Sequence, residues 1–248
     1  MNRLEALGQQ LLIDQWNGMK ERLEKLGQFA VRPHDGYGIF SLVRKDDRVP
    51  AGQLAYAITP VVFQVPERAS GAPNMFIVVS GRIYLDEEAL RARKVLKTMN
   101  FGTEVGYFRH KRVQLVHCYG AHYDFSFDEV GHPIFHAQLR SFTSHSAAVS
   151  ENYEGVTGEL LDHMEGVLRN VRVPTAQMDF FAVVLQIAAD HLLSKEASND
   201  QKLVFEELRL LSKAIEGAGN RWPELEQAGG CMRARHWYPD KARLGIAA

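Results

Sequence analysis

The chain has little of what marks disulfide-rich, membrane or strongly charged proteins. Two of its 248 residues are cysteines, Cys118 and Cys231, and they lie far apart in the sequence. Two distant cysteines are typical of proteins from a reducing compartment, so we predict a cytoplasmic protein without a disulfide framework. The longest apolar runs, such as residues 180–185, fall far short of the roughly 20 residues that a membrane helix requires. We expect neither a signal peptide nor a membrane span.

Charge and motif content exclude further classes of function. The net charge is −1, from 29 basic and 30 acidic residues, which gives no overall attraction to nucleic acid or to an anionic membrane. The sequence contains no G-x-S-x-G nucleophile elbow and no H-E-x-x-H zinc motif. The pair Gly36 and Gly38 lacks the third glycine of a dinucleotide fingerprint. No motif therefore fixes a reaction.

Hydrophobic periodicity predicts an α+β fold. Residues 2–26 carry apolar side chains at three- and four-residue steps, which is typical of an amphipathic helix, and Gly27 is a natural stop. Segments rich in β-branched and aromatic residues predict strands at residues 37–44, 54–64, 75–85 and 105–118. With one further hairpin they form a mainly antiparallel sheet of about five to seven strands. We expect residues 1–170 to hold the N-terminal helix and the sheet. Residues 171–248 form a helical C-terminal part, packed on them as one compact unit.

Capping residues predict where the helices begin. Asp86 is expected to cap a short helix whose basic end complements the helix dipole, with phosphate binding as the alternative for that end. We predict a loop at residues 141–156, a short helix at residues 157–170, and a helix after Pro174 capped by Thr175. A capping box of Ser198 and Gln201 predicts the start of the last long helix.

The most informative stretch is a hairpin at residues 117–138, which holds four of the ten histidines. Polar and apolar residues alternate on both of its strands, so each strand has one apolar face. Pairing Asp124 with His136 puts the aromatic side chains on one side of the hairpin and sets His122 opposite Gln138. Directly opposed Cβ atoms lie about 4.5–5.5 Å apart. This register predicts a compact polar quartet of His122, Asp124, His136 and Gln138.

The quartet permits three interpretations. Two imidazoles and one carboxylate can hold a divalent metal, with His122, Asp124 and His136 as metal ligands of a hydrolase or nuclease. Alternatively, the same three residues are catalytic without metal, and His122 and His136 act as acid and base of an RNase. The third interpretation is structural: Asp124 accepts a hydrogen bond from His136 and fixes the hairpin.

Four further residues are candidates for substrate binding. Gln138 would orient the substrate, and Arg109, Arg112 or Arg140 would bind a phosphate. Arg109 and Arg112 belong to the densest basic patch of the chain, beside Tyr107, so contact with nucleic acid is one interpretation. The other is a strand face that charge guards against aggregation, and the neutral overall charge favours it.

Three short patterns resemble those of an uncharacterised bacterial domain family of unknown function. They are His122-x-Asp124, His132-Pro133-x-x-His136 and Arg172-x-Pro174-Thr175, within residues 122–175. The resemblance implies a bacterial origin and no particular activity. Such families often lie among mobile or defence genes, which would place the protein in a defence or toxin-type system.

The lack of a catalytic signature favours a non-enzymatic binding or accessory protein in such a system. It would act on a protein partner, or as a homo-oligomer, through its sheet face or its C-terminal tail. The tail contains Trp222, Trp237 and Tyr238, and aromatic residues are common interface anchors. The metal-dependent hydrolase or nuclease and the metal-free RNase are the alternatives.

Overall fold

The computed structural model describes residues 1–27, 29–44, 49–66, 74–112, 114–125, 133–156, 160–162, 172–193 and 196–217. The predicted tail anchors Trp222, Trp237 and Tyr238 lie outside these ranges. None of the helices within them combines the length and the apolar character that crossing a membrane requires.

The protein has the predicted α+β fold. Within the described ranges a single sheet contains nine strands, more than the predicted number. The strands are β1 (Ala30–Arg32), β2 (Phe40–Leu42), β3 (Gln53–Val65), β4 (Met75–Asp86), β5 (Thr98–Lys111), β6 (Gln114–Phe125), β7 (Phe135–Leu139), β8 (Leu160–Asp162) and β9 (Arg172–Pro174). The helices are α1 (Arg3–Leu26), α2 (Glu87–Arg93), α3 (His145–Asn152), α4 (Phe180–Ile187), which continues into a π-helical turn (Ala188–Leu192), and α5 (Asn199–Lys213).

The sheet is mainly antiparallel, in the order β1-β3-β4-β5-β6-β7-β9. The short strand β2 pairs with β3, and β8 pairs with β6 in the one parallel contact among the described strands. The long strands β3 to β6 follow one another as antiparallel neighbours. Both ends of this order are three-residue strands, β1 and β9. The predicted quartet, on β6 and β7, therefore lies where the long central strands meet the β9 edge of the sheet.

One face of the sheet packs against α1, α4 and α5 and forms the main core. This core includes residues from Leu12 in α1 to Ile215 after α5. The fully buried Trp16 joins three elements, because its ring centroid lies 6.2 Å from that of Phe63 in β3 and 5.6 Å from that of Phe180 in α4. Contacts thus cross the predicted boundary at residue 170, although the division into two parts stays a prediction.

The opposite face is only partly covered. Its apolar half packs against α3 in a second, smaller cluster that includes Val62, Val78 and Phe108 from the sheet and Val149 from α3. Strand residues alternate between the two faces. Many of the remaining positions on this face are polar, and they carry the candidate site.

Several local predictions are confirmed. Gly27 follows the last residue of α1. The Asp86 carboxylate accepts hydrogen bonds from the backbone N–H groups of Glu88 and Ala89 and so caps α2. The Ser198 side chain and Gln201 form the predicted capping box of α5.

Other local predictions are wrong. The predicted loop at residues 141–156 contains helix α3. The predicted helix at residues 157–170 contains strand β8, which pairs with β6, and the other residues of that predicted helix lie outside the described ranges. The helix expected after Pro174 begins at Phe180, with Asp179 as its cap. Thr175 lies before the start of this helix: its hydroxyl donates to the Ala176 carbonyl, and its backbone N–H donates to the Phe135 carbonyl and extends the sheet edge. The predicted strand at residues 105–118 is two strands, separated by a turn in which Arg112 has a φ of 59°.

Replacement of Trp16 by Ala should strongly destabilise the fold. Truncation of a fully buried tryptophan costs about 3–5 kcal/mol, because the cavity is added to the lost transfer free energy. The measurement is urea unfolding followed by far-ultraviolet circular dichroism. Leu210→Ala is the control, since Leu210 is 58% exposed and should change the free energy of unfolding by less than about 0.5 kcal/mol. Equal effects of the two substitutions would contradict this account of the core.

Candidate functional site

The predicted register of the hairpin is confirmed. Asp124 in β6 pairs with His136 in β7, and His122 pairs with Gln138. The aromatic residues Tyr123 and Phe135 lie on the other side, in the main core. The turn of the hairpin, with His132, lies outside the described residues. The structure thus brings all four members of the quartet onto the polar face of the sheet.

Two rows of cross-strand neighbours cross this face. In the first row, Ser80 of β4 pairs with Glu104 of β5, Glu104 with His122, His122 with Gln138, and Gln138 with Arg172 of β9. Residues that pair directly across strands project on the same side of the sheet. The first row is therefore a continuous line of polar side chains over five strands.

The second row runs beside the first. Arg82 of β4 pairs with Gly102 of β5, Gly102 with Asp124, and Asp124 with His136. Gly102 has no side chain, so the row has a gap in its middle. The gap separates a cation on one side from a carboxylate on the other.

Asp124 connects the two histidines of the quartet. His136 Nδ1 lies 2.8 Å from Asp124 Oδ1, and His122 Nε2 lies 3.3 Å from Asp124 Oδ2. The other ring nitrogen of His122, Nδ1, lies 3.9 Å from Oε1 of Glu104. His122 is therefore held between two carboxylates, and each oxygen of Asp124 contacts a different imidazole.

Glu104 extends the network to α3. Its Oε2 lies 3.4 Å from His145 Nε2, and the Ser80 hydroxyl donates to the same oxygen at 3.4 Å. Ser80 Oγ lies 3.0 Å from His145 Nε2. Sequence reasoning missed Glu104, Ser80 and His145. Glu104 carried one signal, because it is the single charged residue in the otherwise apolar and neutral stretch from residue 98 to residue 108.

The imidazoles keep both carboxylates ionised. Burial by itself raises the pKa of Asp124, but contacts with His122 and His136 outweigh burial and hold that pKa well below its usual range. For Glu104 the contact with His145 is the main cause of a lowered pKa, and burial opposes it. The carboxylates are partly exposed, Asp124 at 31% and Glu104 at 35% of their side chains. They act as fixed negative charges that solvent reaches.

An open pocket of about 510 Å³ lies over this network. Its lining includes Arg82, Glu104, His122 and Asp124, together with aromatic residues such as Tyr84. Gly102 forms part of its floor, and a Cβ atom there would lie 3.4 Å from His122 Cε1, an ordinary contact distance. The volume is within the usual range of about 300–1,000 Å³ for small-molecule sites.

The backbone conformation at the neighbouring position 81 requires a glycine. Its φ is +139°, a region that side-chain-bearing residues rarely adopt, and a Cβ atom there would overlap the carbonyl of Gly102. Strands β4 and β5 therefore approach closely at the pocket floor. The pocket keeps its shape through this close backbone packing.

The predicted arginines occupy different places. Arg109 lies five residues along β5 from Glu104, so the two are about 17 Å apart at the usual rise per residue. Arg112 lies farther still, in the turn after β5. Arg109 and Arg112 therefore lie away from the quartet, and a role of these two residues in substrate binding stays a prediction. Arg140 lies beside the quartet, and its Nη2 donates to Gln138 Oε1 at 3.1 Å.

The position of His136 does not favour its predicted roles as a catalytic residue and a metal ligand. The residue is 1% exposed, so a substrate in the pocket cannot touch it, and the pairing of His122 with His136 as acid and base of an RNase lacks access. No group of three His, Cys, Asp or Glu side chains within the described ranges is arranged to hold a metal ion. In the predicted ligand set, the two imidazoles contact opposite oxygens of Asp124 instead of converging on one point.

A hydrolase triad of Ser80, His145 and Glu104 is also unsupported. In such a triad the serine and the carboxylate contact different nitrogens of the histidine, which relays the proton. Here Ser80 Oγ and Glu104 Oε2 both lie near Nε2 of His145. Ser80 is buried as well, so its hydroxyl is poorly placed for attack on a substrate.

The lowered pKa of Asp124 predicts a pH dependence of stability. Because the folded-state pKa is below the ordinary value of 3.8, the contribution of Asp124 is fully present above that pH and is lost as pH falls toward the folded-state pKa. We expect Asp124→Asn to lower the free energy of unfolding at neutral pH, with a difference from the wild type that shrinks below pH 3.8. Urea unfolding across the pH range measures this difference. The exposed Glu151→Gln variant is the control, and an Asp124→Asn difference that is independent of pH would contradict the network.

Replacement of His136 tests whether its role is structural. We expect His136→Ala to lower the free energy of unfolding by about 1–3 kcal/mol, because it leaves the partly buried Asp124 without one of its partners. Thermal and urea unfolding provide the measurement, with elemental analysis of both proteins beside it. A variant of unchanged stability that loses one equivalent of transition metal would contradict the structural role and support the metal site.

Comparison with family models, with curated proteins and with solved structures finds no match to this chain. The resemblance to an uncharacterised bacterial domain family therefore stays a prediction, and the geometry of the pocket is the basis for a functional conclusion.

Proposed function

We propose that this protein is a non-enzymatic binding protein whose site is the pocket on the polar face of the sheet. The observation that carries the proposal is the pair of ionised carboxylates, Asp124 and Glu104, held on either side of His122 in an open pocket. An efficient general acid or base has a pKa near the working pH. The pKa of each carboxylate is moved away from neutrality instead, so both suit charge recognition better than proton transfer.

The charges of the lining indicate a small zwitterionic ligand. An ammonium or guanidinium group would face Asp124 and Glu104, whose oxygens keep lone pairs beyond those used by the imidazoles. Arg82 is exposed, makes no ion pair with a described residue, and lies across the gap at Gly102, where it would bind a carboxylate of the same ligand. The aromatic ring of Tyr84 adds an apolar wall that also attracts cations. A free amino acid or a short peptide carries this combination of groups.

The wider setting is part of the same proposal. A cytoplasmic accessory protein of a bacterial defence or toxin-type system would use such a pocket to sense a small molecule and a second surface to contact a protein partner or another copy. The absence of a recognised catalytic motif supports a binding role. The metal-dependent hydrolase has no comparable support, since the described side chains offer no metal-binding arrangement.

A panel of four compounds tests the pocket by isothermal titration calorimetry. Arginine and lysine carry both signs of charge, agmatine carries cations alone, and succinate carries anions alone. We expect binding of the first three and not of succinate. Glu104→Gln and Asp124→Asn should each lower the affinity by roughly tenfold or more, because a hydrogen bond to a charged group contributes about 1.5–3 kcal/mol.

Two further variants separate the parts of the pocket. Arg82→Ala should weaken the binding of arginine and lysine but not of agmatine, since it removes the proposed carboxylate contact alone. Gly102→Ala adds a methyl group to the floor at an ordinary contact distance, so it should weaken all ligands while the protein stays folded. Preferential binding of succinate, or no binding of any compound, would refute the proposed ligand class. Turnover of a bound compound would refute the non-enzymatic role.

A further inference from the structure

A second concave surface lies between the start of α1 and α2, away from the pocket. This α1–α2 groove has a volume of about 940 Å³. Arg3, Leu4 and Leu7 of α1 form one wall, and Arg91 of α2 and the following Lys94 contribute to the other. The groove is near the upper limit of about 1,000 Å³ for small-molecule sites, so it offers room for a peptide segment.

The basic side chains at and just after the end of α2 form two groups. Arg93 and Lys97 are paired with acidic residues of the protein, whereas Arg91 and Lys94 line the α1–α2 groove. Arg93 donates to both carboxylate oxygens of Glu216, at 2.6 and 2.8 Å. Lys97, which lies between α2 and β5, contacts Asp86, the N-cap residue of α2, at 3.0 Å. These two cations stabilise the protein itself, and neither lines the α1–α2 groove.

The cations that line the groove have a different environment. Arg91 and Lys94 are exposed and make no ion pair with a described residue, and the same holds for Arg3 across the groove. Among the described residues of the lining, Glu87 is the one acidic residue, and it is engaged in an interaction of its own. The described lining therefore presents three positive charges from two walls against one negative charge.

Apolar side chains lie between these charges. Leu4 and Leu7 are half-buried and three residues apart on α1, so they project on the same side of the helix. A ligand that satisfies the whole groove must carry acidic groups together with apolar ones. An inorganic phosphate leaves the leucines uncovered. Single-stranded nucleic acid is normally bound by stacking on aromatic rings, and the described residues of the lining include none.

The walls are held rigidly before any ligand binds. The Tyr56 hydroxyl donates to the Glu5 carbonyl at 2.7 Å, and Gln9 Nε2 donates to the Phe40 carbonyl at 2.6 Å, so the sheet fixes the first turns of α1. Gly8 allows the close approach of α1 to this hydroxyl and to Leu90 of α2, because a Cβ atom there would overlap the Tyr56 side chain. A preformed groove binds with a smaller loss of conformational entropy.

From these observations we infer that the α1–α2 groove is a docking site for an acidic, amphipathic peptide segment of a partner protein. The acidic side chains of the segment face Arg3, Arg91 and Lys94, and its apolar side chains pack on Leu4 and Leu7. Binding of an amphipathic helix in a groove is a common mode of peptide recognition, and charge complementarity fixes its orientation. The inference is independent of the ligand proposed for the pocket.

Selection from a random 16-residue peptide display library tests the docking site with the full chain. The wild-type protein is the bait, and the double variant Arg91→Glu/Lys94→Glu is used for counter-selection. Both residues are exposed, so the variant should fold normally. We expect the selected peptides to be enriched in Asp and Glu with apolar residues three or four positions apart. In fluorescence anisotropy, an enriched peptide should bind the double variant at least about tenfold more weakly than the wild type.

A matched control keeps the charge change but moves it elsewhere. Lys111→Glu/Arg112→Glu also reverses two exposed cations, and each pair contains one residue with positive φ, 54° for Lys94 and 59° for Arg112. This control should bind the peptide as the wild type does, and Leu7→Ser should weaken binding without any change of charge. Selected peptides without acidic enrichment, or equal binding by the two double variants, would overturn the inference. Tighter binding of phosphatidylserine vesicles or of a single-stranded oligonucleotide than of any selected peptide would also overturn it.

Discussion

The register of the four strands β4 to β7 is the constraint on which the remaining structure depends. Around the pocket each strand has one apolar and one polar face, and a slip of one residue would exchange them. In the observed register Tyr123 and Phe135 enter the main core while Asp124 and His136 remain on the other face. A slip between β6 and β7 would carry a charged network into contact with α1 and α4. The stability of the core and the geometry of the pocket thus have one cause.

The pocket and the α1–α2 groove use charge in opposite ways. In the pocket, Asp124 and Glu104 are compensated by imidazoles, which keep them ionised although they are partly buried. In the α1–α2 groove, Arg91 and Lys94 are exposed and make no ion pair with a described residue. Compensated charges hold a fixed geometry and suit the recognition of a small molecule. Solvated charges cost little to expose and suit reversible contact with a macromolecule.

The features that the sequence could predict depend on residues that lie close together in the chain. The alternation of polar and apolar residues was sufficient for the pairing of Asp124 with His136, and side-chain chemistry was sufficient for the caps at Asp86 and Ser198. What it could not predict depends on contacts between distant segments. Glu104 and His145 are 41 positions apart and meet only because α3 folds back over the sheet. In the same way, β8 becomes a strand through its parallel partner β6, which its own composition does not indicate.

The edges of the sheet bear on how this protein can associate with others. Along the order of described strands, the sheet ends in β1 and β9, and each has three residues. In β9, Pro174 has no N–H to offer and Arg172 places a charge at the rim. Short edges that carry charge and proline are poor templates for a further strand and protect against edge-to-edge aggregation. Growth of the sheet from one molecule into the next is therefore disfavoured at β9, and helical surfaces and cavities remain the better routes to assembly.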